Sequence, residues 1–197
     1  ENVVDVMAYQ KDADILFLAN MGADVQLATL RAAGIKRAWA DTMNLWIGTQ
    51  RDNLESVLTL LEGLFLNEEE ALQLTGTSSL EEAGNQLLEM GPRIVVVKLG
   101  AHGALLVTRE GSRHFPAYPA DPVIDPTGAG DSFAGGFLGY LASTRTFGEW
   151  PRGLLQEAVI AGTATASLAV ESFSIQRLAE AERSEVESRM KSLQVSL

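Results

Sequence analysis

The chain has 197 residues, 46% of them hydrophobic, with 15 basic against 26 acidic side chains and a formal net charge of -11. That charge repels phosphate backbones and argues against a nucleic-acid partner, leaving room only for local binding of a small anion. The absence of cysteine excludes disulfides, thiolate metal sites and cysteine nucleophiles, and fits a reducing, cytoplasmic compartment.

No apolar run reaches the length of a membrane span, and the opening ENVVDVMAYQ lacks the basic start and apolar centre of a signal peptide. Glu1 stands where an initiating methionine would, so a processed or partial chain is expected. Length and core content predict a single domain, 1–197. Short apolar runs then alternate with amphipathic stretches, the rhythm of an α/β fold. Strands are predicted at 15–19 (ILFLA), 37–41 (RAWAD), 63–67 (GLFLN), 94–98 (IVVVK) and 104–108 (ALLVT), with another around His114. Several are continuously apolar, as strands of a mostly parallel sheet should be when both faces are covered. Helical spacing marks 24–33, 53–61, 69–74 and 79–90; Ser78 or Ser79 with Glu81 and Glu82 supplies a helix start, and Gly91 and Pro92 a stop. Glu110, Gly111 and Ser112 read as a hairpin turn and hence an antiparallel sheet edge. Beyond Gly130 the pattern is helical, with stretches at 132–143, 153–168 and 185–193.

The segment VIDPTGAGDSFAGG, 123–136, lies between an extended stretch and a helix rich in small residues. Gly128, Ala129 and Gly130 then occupy a helix start, where backbone amides lack intrahelical acceptors and the dipole favours an anion. Asp131 follows directly. A carboxylate there either accepts the proton of an attacking hydroxyl while the amides hold a phosphoryl group, or caps the helix after a glycine turn. The residues alone weigh the two about evenly. The GxGxxG fingerprint fails at Phe133, and the P-loop fails for want of its lysine.

DPTGAGDSFAGGF, 125–137, resembles the C-terminal signature of the PfkB or ribokinase family of carbohydrate and nucleoside kinases, DTxGAGD before a small-residue helix, and departs from it at Pro126. NEEE at 67–70 fits the family's NxxE element, and VVVKLGAHGALL at 95–106 resembles its strand, turn and strand bordering the nucleotide. The resemblance implies that Asp131 is the catalytic base and that Gly128, Ala129 and Gly130 form the anion hole. It implies that Asn67 and Glu70 organise magnesium and its waters, and that Asp125 and Thr127 lie near a monovalent cation such as potassium. Lys98, Gly100 and Gly103 match a nucleotide-contacting turn. Gly162 and Ala166, within AGTATASLA at 161–169, match a helix flanking adenine. Asp41 and Asn44, in DTMNLW, faintly match a substrate-contacting DxN element whose usual following arginine is missing. Each has a plainer reading: a capped, dipole-stabilised first turn for Asn67 and the acids after it, an Asx turn around Pro126, a solvated Lys98, close helix packing at 161–169, and a cap by Asp41 with core-edge packing by Trp46. His102 and His114 match no catalytic or ligand pattern and read as surface or packing residues.

The implied fold is a ribokinase-like three-layer α/β/α sandwich with a mostly parallel central sheet, incomplete at its N-terminal side. Family members are longer, and their front part supplies a GG-containing sugar-binding region, a substrate-gripping aspartate and a small β-lid that often mediates dimers; none is seen before Ile15. The implied function is ATP- and magnesium-dependent transfer of the γ-phosphoryl group to a hydroxyl of a sugar, polyol or nucleoside, with a homodimer implied for the full-length protein. The isolated chain is expected to be weakly stable or self-associating, and inactivity of that piece is a further expectation. The alternatives are a noncatalytic nucleotide-binding module, which binds ATP without turnover, and a structural α/β domain, which does not bind it.

Overall fold

A computed structural model describes residues 13–146 and 148–195. The reading of the first ten residues as unlike a signal peptide falls outside them. The chain divides into two compact units, one running through Lys98 and resuming at Leu105–Arg113, the other comprising Leu99–Ala104 and the chain from His114 onward.

The first unit alternates strand and helix: β1 (Leu16–Leu18), α1 (Ala23–Ala33), β2 (Ala38–Asp41), α2 (Asn44–Thr49), α3 (Arg51–Leu58), β3 (Gly63–Asn67), α4 (Glu68–Thr75), α5 (Leu80–Glu89) and β4 (Ile94–Lys98). Two further strands, β5 (Ala104–Thr108) and β6 (Gly111–Phe115), complete a sheet of order β1-β2-β3-β4-β5-β6 among the described residues. Neighbours from β1 to β4 are parallel. The connections from β4 to β5 and from β5 to β6 are far too short for a parallel crossover, so that edge is antiparallel.

The apolar runs form the sheet because both faces are covered: all four residues of β2, and four of five in β3 and β4, are buried. Trp39 packs at a tilt against Phe65, ring centroids 4.9 Å apart, and Phe65 and Phe17 meet nearly perpendicular at 5.9 Å. Pairing Asp41 with Phe65 and Asn67 with Lys98 brings the polar residues of β2, β3 and β4 together at the carboxyl ends of parallel strands, where open α/β sheets bind ligands.

The second unit holds a 3-10 turn (Gly100–His102) and α6 (Ala129–Ser143), α7 (Arg152–Ala169), α8 (Gln176–Glu180) and α9 (Arg183–Val195). Helices α6 and α7 approach closely because their contact is built of small residues. A Cβ on Gly136 would lie 2.4 Å from Thr165 Oγ1, and one on Gly162 would lie 2.8 Å from the Phe133 carbonyl.

Strand positions follow the sequence pattern closely, and Ser79 caps α5 as expected, accepting from the Glu82 amide at 3.3 Å. Within DTMNLW, Asn44 opens α2, a short helix that the sequence pattern did not mark. Two local expectations are corrected. Helix α6 starts at Ala129, three residues before Ser132. The hairpin turn is Arg109–Glu110, closed by the Glu110 amide on Thr108 Oγ1, so Gly111 and Ser112 belong to β6.

Candidate active site

Strand ends and a helix cap assemble the polar group of the first unit. Asp41 is buried; its Oδ1 accepts the Thr42 amide at 2.9 Å, and its Oδ2 forms an ion pair with Lys98 Nζ. Lys98 is therefore paired rather than simply solvated. Gln26, also buried, donates to the Asp41 carbonyl at 2.9 Å and ties α1 to the end of β2.

Asn67 and Glu70 form a reciprocal capping box: Asn67 Oδ1 accepts the Glu70 amide at 2.8 Å, and Glu70 Oε2 accepts the Asn67 amide at 2.7 Å. Burial pushes the Glu70 carboxyl above its ordinary value, Asp41 adding to this while the Asn67 amide and Lys98 pull the other way. Asn44 turns instead toward α4, donating to Gln73 Oε1 at 2.7 Å. Thr42 Oγ1 is buried and finds no acceptor or donor among the described residues. Such an orphaned hydroxyl marks a place for a water or ligand atom.

In the second unit the motif segment begins with an Asx turn, Asp125 Oδ1 accepting the Thr127 amide at 2.9 Å. That amide, with the Thr127 hydroxyl, holds the Asp125 carboxyl below its ordinary value. Gly128 is the residue before α6 and has φ 80°, a left-handed conformation that side chains other than glycine resist. The Ala129 amide turns back onto the Pro126 carbonyl at 3.1 Å, and the Ser132 amide onto Gly128 at 2.9 Å. The amides of Gly128, Gly130 and Asp131 have no acceptor among the described residues. Asp131 is exposed in the first helical turn; the cap position belongs to Gly128.

Beside this helix start lies a cavity of about 470 Å³ lined mainly by Gly100, Gly103, Tyr118, Pro119, Val123, Phe133 and Ala166, with Pro126 and Ala129 shared between its wall and the motif segment. The hydroxyls on its α7 side are already engaged, Thr163 Oγ1 donating to Val159 at 2.9 Å and Ser167 Oγ to Ala164 at 2.7 Å. The cavity is thus a mainly apolar slot that reaches the start of α6 at Pro126 and Ala129. It brings together Gly100, Gly103, Ala129 and Ala166; Gly162 instead faces Phe133 in the α6–α7 contact.

Sequence reasoning did not single out Thr42, Tyr118, Ser167 or Arg189. The available signals were an aromatic residue before Pro119 and a basic residue at a buried position of α9.

No group of three or more His, Asp or Glu residues suited to a metal occurs among the described residues. Magnesium needs less, since it keeps several waters and commonly takes one or two carboxylates plus substrate phosphates. Glu70 commits Oε2 to the capping box and leaves Oε1 outside it, a donor that fits a water-mediated magnesium contact. His114 Nε2 meets the His102 carbonyl at 2.7 Å, and both histidines are exposed.

The sequence profile of the pfkB family of carbohydrate kinases matches residues 8–182. The chain is 35% identical over 153 residues to a cytidine kinase of Thermococcus kodakarensis, covering 75% of this chain and 54% of that protein. It is 41% identical over 105 residues to an aminoimidazole riboside kinase of Salmonella typhimurium, covering 53% of this chain and 32% of that protein. Among solved structures it is similar to a ribokinase of Thermotoga maritima, with TM-score 0.74 and 28% identity over 93% of this chain and 58% of the other. A Salmonella enterica aminoimidazole riboside kinase, complexed with aminoimidazole riboside and an ATP analog, gives TM-score 0.72 and 26% identity over 90% and 64% of the two chains. The chain thus spans about half the length of the relatives it matches most broadly. With the profile covering most of its length, the chain belongs to the pfkB family of carbohydrate kinases.

Proposed function

We propose that this chain carries the nucleotide-binding and phosphoryl-transfer part of an ATP-dependent kinase whose acceptor is a hydroxyl of a sugar, polyol or nucleoside. The observation that carries the reading is the apolar cavity opening beside the glycine-capped start of α6, with Asp131 in its first turn. The cavity suits a purine, which needs apolar faces and few polar anchors. The unengaged amides of Gly128, Gly130 and Asp131 suit phosphate oxygens. The names of the relatives, which span sugar and nucleoside kinases, support the same acceptor class.

In the proposed reaction the acceptor hydroxyl attacks the γ-phosphorus, the bond from that phosphorus to the β,γ-bridging oxygen breaks, and ADP leaves. Asp131 takes the hydroxyl proton, and the α6 amides stabilise the charge on the transferring group. Magnesium, when bound, neutralises charge on the phosphates; Asn67 and Glu70 are the residues assigned to hold it and its waters. Asp41 and Asn44 are assigned to the acceptor, Lys98, Gly100 and Gly103 to the nucleotide turn, and Asp125 with Thr127 to a monovalent cation.

The test is acceptor-dependent ATP consumption by the full protein against a panel of sugars, inositols and nucleosides, with Asp131→Asn as the comparison. Loss of the base is expected to lower kcat by about 10²–10⁴-fold with little change in the KM for ATP. Turnover that survives the substitution removes Asp131 from that role, and ATP binding without turnover on any acceptor favours a noncatalytic nucleotide-binding module.

A further inference from the structure

Arg189 lies on α9 and is 9% exposed, an unusual place for a guanidinium. A buried cation persists only when it is paired and its donors are satisfied. Here Nη1 reaches Ser167 Oγ and Glu171 Oε1, each at 2.9 Å, and Nη2 reaches Glu171 Oε2 at 2.9 Å. Glu171 is thereby gripped in a two-pronged fashion that lysine cannot reproduce. The guanidinium carbon also stands 4.7 Å from the centre of the Tyr118 ring, within cation–π range. Arg177 braces the same cluster, 3.4 Å from Glu171 and ion-paired with Glu185, whose carboxylate is 3.6 Å from Arg189.

Two of the groups held by Arg189 form the wall of the cavity described above. Ser167 comes from α7, whereas Tyr118 comes from a segment with no helix or strand of its own. That segment has no ladder of backbone hydrogen bonds to fix it, so its place depends on side-chain contacts such as the one beneath Tyr118. We propose that Arg189 is a positioning residue of the nucleotide-base pocket, acting from behind the wall to hold Tyr118 and Ser167 in register, and that α9 is therefore part of the nucleotide site. This rests on reading the cavity as the base site.

The test measures binding of magnesium-ATP and of magnesium-tripolyphosphate, which has no base, to the full protein by titration calorimetry. Arg189→Met is expected to weaken ATP binding about tenfold, and Tyr118→Leu, which removes the ring from the cavity wall together with its contact to Arg189, about threefold. Tripolyphosphate binding is expected to stay within about twofold in both. Arg189→Lys, which keeps the charge but loses the fork, is expected to recover less than half of the lost affinity in logarithmic terms. Equal weakening of ATP and tripolyphosphate would mean general damage to the fold, and unchanged ATP binding in both Arg189→Met and Tyr118→Leu would mean no positioning; either overturns the proposal. Should Arg189→Met not fold, Arg189→Lys decides by the same comparison, since it keeps the charge and loses only the fork. Ala166→Leu, which fills the cavity directly, separates the two readings. If it leaves ATP affinity intact, the base-site reading fails; if it weakens ATP while the Arg189 and Tyr118 variants do not, only the positioning role fails.

Discussion

Asp41 and Lys98 stand 57 residues apart in the chain, and their ion pair exists only because β2 and β4 flank β3 in one parallel sheet. Both members are largely withdrawn from water, so removing one leaves the other uncompensated. Lys98→Met is expected to cost about 3 kcal/mol of stability, and the double variant with Asp41→Asn to recover part of it; urea denaturation of the four proteins in this cycle checks the coupling. Additive losses would mean the pair contributes no mutual stabilisation. No reading of local pattern could have shown this pair, although both residues were candidates on other grounds. The capping box is the opposite case, since Asn67 followed three residues later by Glu70 is a local signal and folds as one. It leaves Glu70 with a raised carboxyl, and the consequence has a definite sign. Between the ordinary value of 4.5 and the higher folded value, the folded state binds more protons than the unfolded one, so stability falls as pH rises through that window. Glu70→Gln keeps an oxygen for the Asn67 amide and loses the charge. Its melting temperature is expected to exceed that of the parent at pH 7 and to converge with it as pH falls below 4.5; a gap that widens on acidification would contradict the burial account.

Helix α6 shows why element boundaries were harder to read than elements. Its small residues marked a helix, and Gly128, Ala129 and Gly130 read as its start, but the helical stretch itself was given as beginning at Ser132. A single left-handed glycine at position 128 makes the turn, so Ala129 and Gly130 are already helical. Helix α2 was missed for a related reason: at six residues it is too short for a periodic pattern to emerge from NLWIGT. The 3-10 turn before β5 gives the sharpest mutational expectation at this scale. Gly103 has φ 96°, and a Cβ there would lie 1.9 Å from the Phe115 carbonyl. Gly103→Ala is expected to destabilise the protein by about 2–3 kcal/mol and, because Gly103 lines the cavity, to weaken ATP binding as well. Thermal unfolding and nucleotide titration of that variant check both; a fully stable Gly103→Ala would mean the turn rearranges freely.

For the molecule as a whole, the α/β class, the strand positions and the family were legible because they rest on apolar runs and on motifs contiguous in sequence. The cavity was legible only in part. Ala166, Gly100 and Gly103 could be named from motif resemblance, whereas Tyr118 and its partner Arg189 meet across 71 residues of chain and carry no pattern. If the cavity binds nucleotide, ATP should protect the second unit selectively in amide hydrogen exchange, at 100–103, 125–132 and 163–170, while α1 and α3 of the first unit keep their free-state rates. At a hundredfold excess over Kd the bound nucleotide should add about 2.7 kcal/mol to the stability of whatever unfolds with that site. Uniform protection across both units, or none, would argue against the cavity as the place of binding. Val123, Ile124, Phe173 and Ile175 are large apolar residues left exposed in that second unit, Ile124 being held to the end of α7 through the Val170 carbonyl at 2.8 Å. They give physical content to the expectation that the isolated chain self-associates, and sedimentation of Phe173→Ser beside the parent tests it: the variant should shift toward monomer.

The central claim is that a hydroxyl, and not water, receives the γ-phosphoryl group, and phosphorus-31 NMR of the reaction mixture tests it most directly. The account predicts that ATP, magnesium, an active acceptor and the full protein yield ADP and a phosphate monoester in equal amounts, with the monoester signal lost in Asp131→Asn. Orthophosphate as the sole new phosphorus product beside ADP would contradict it.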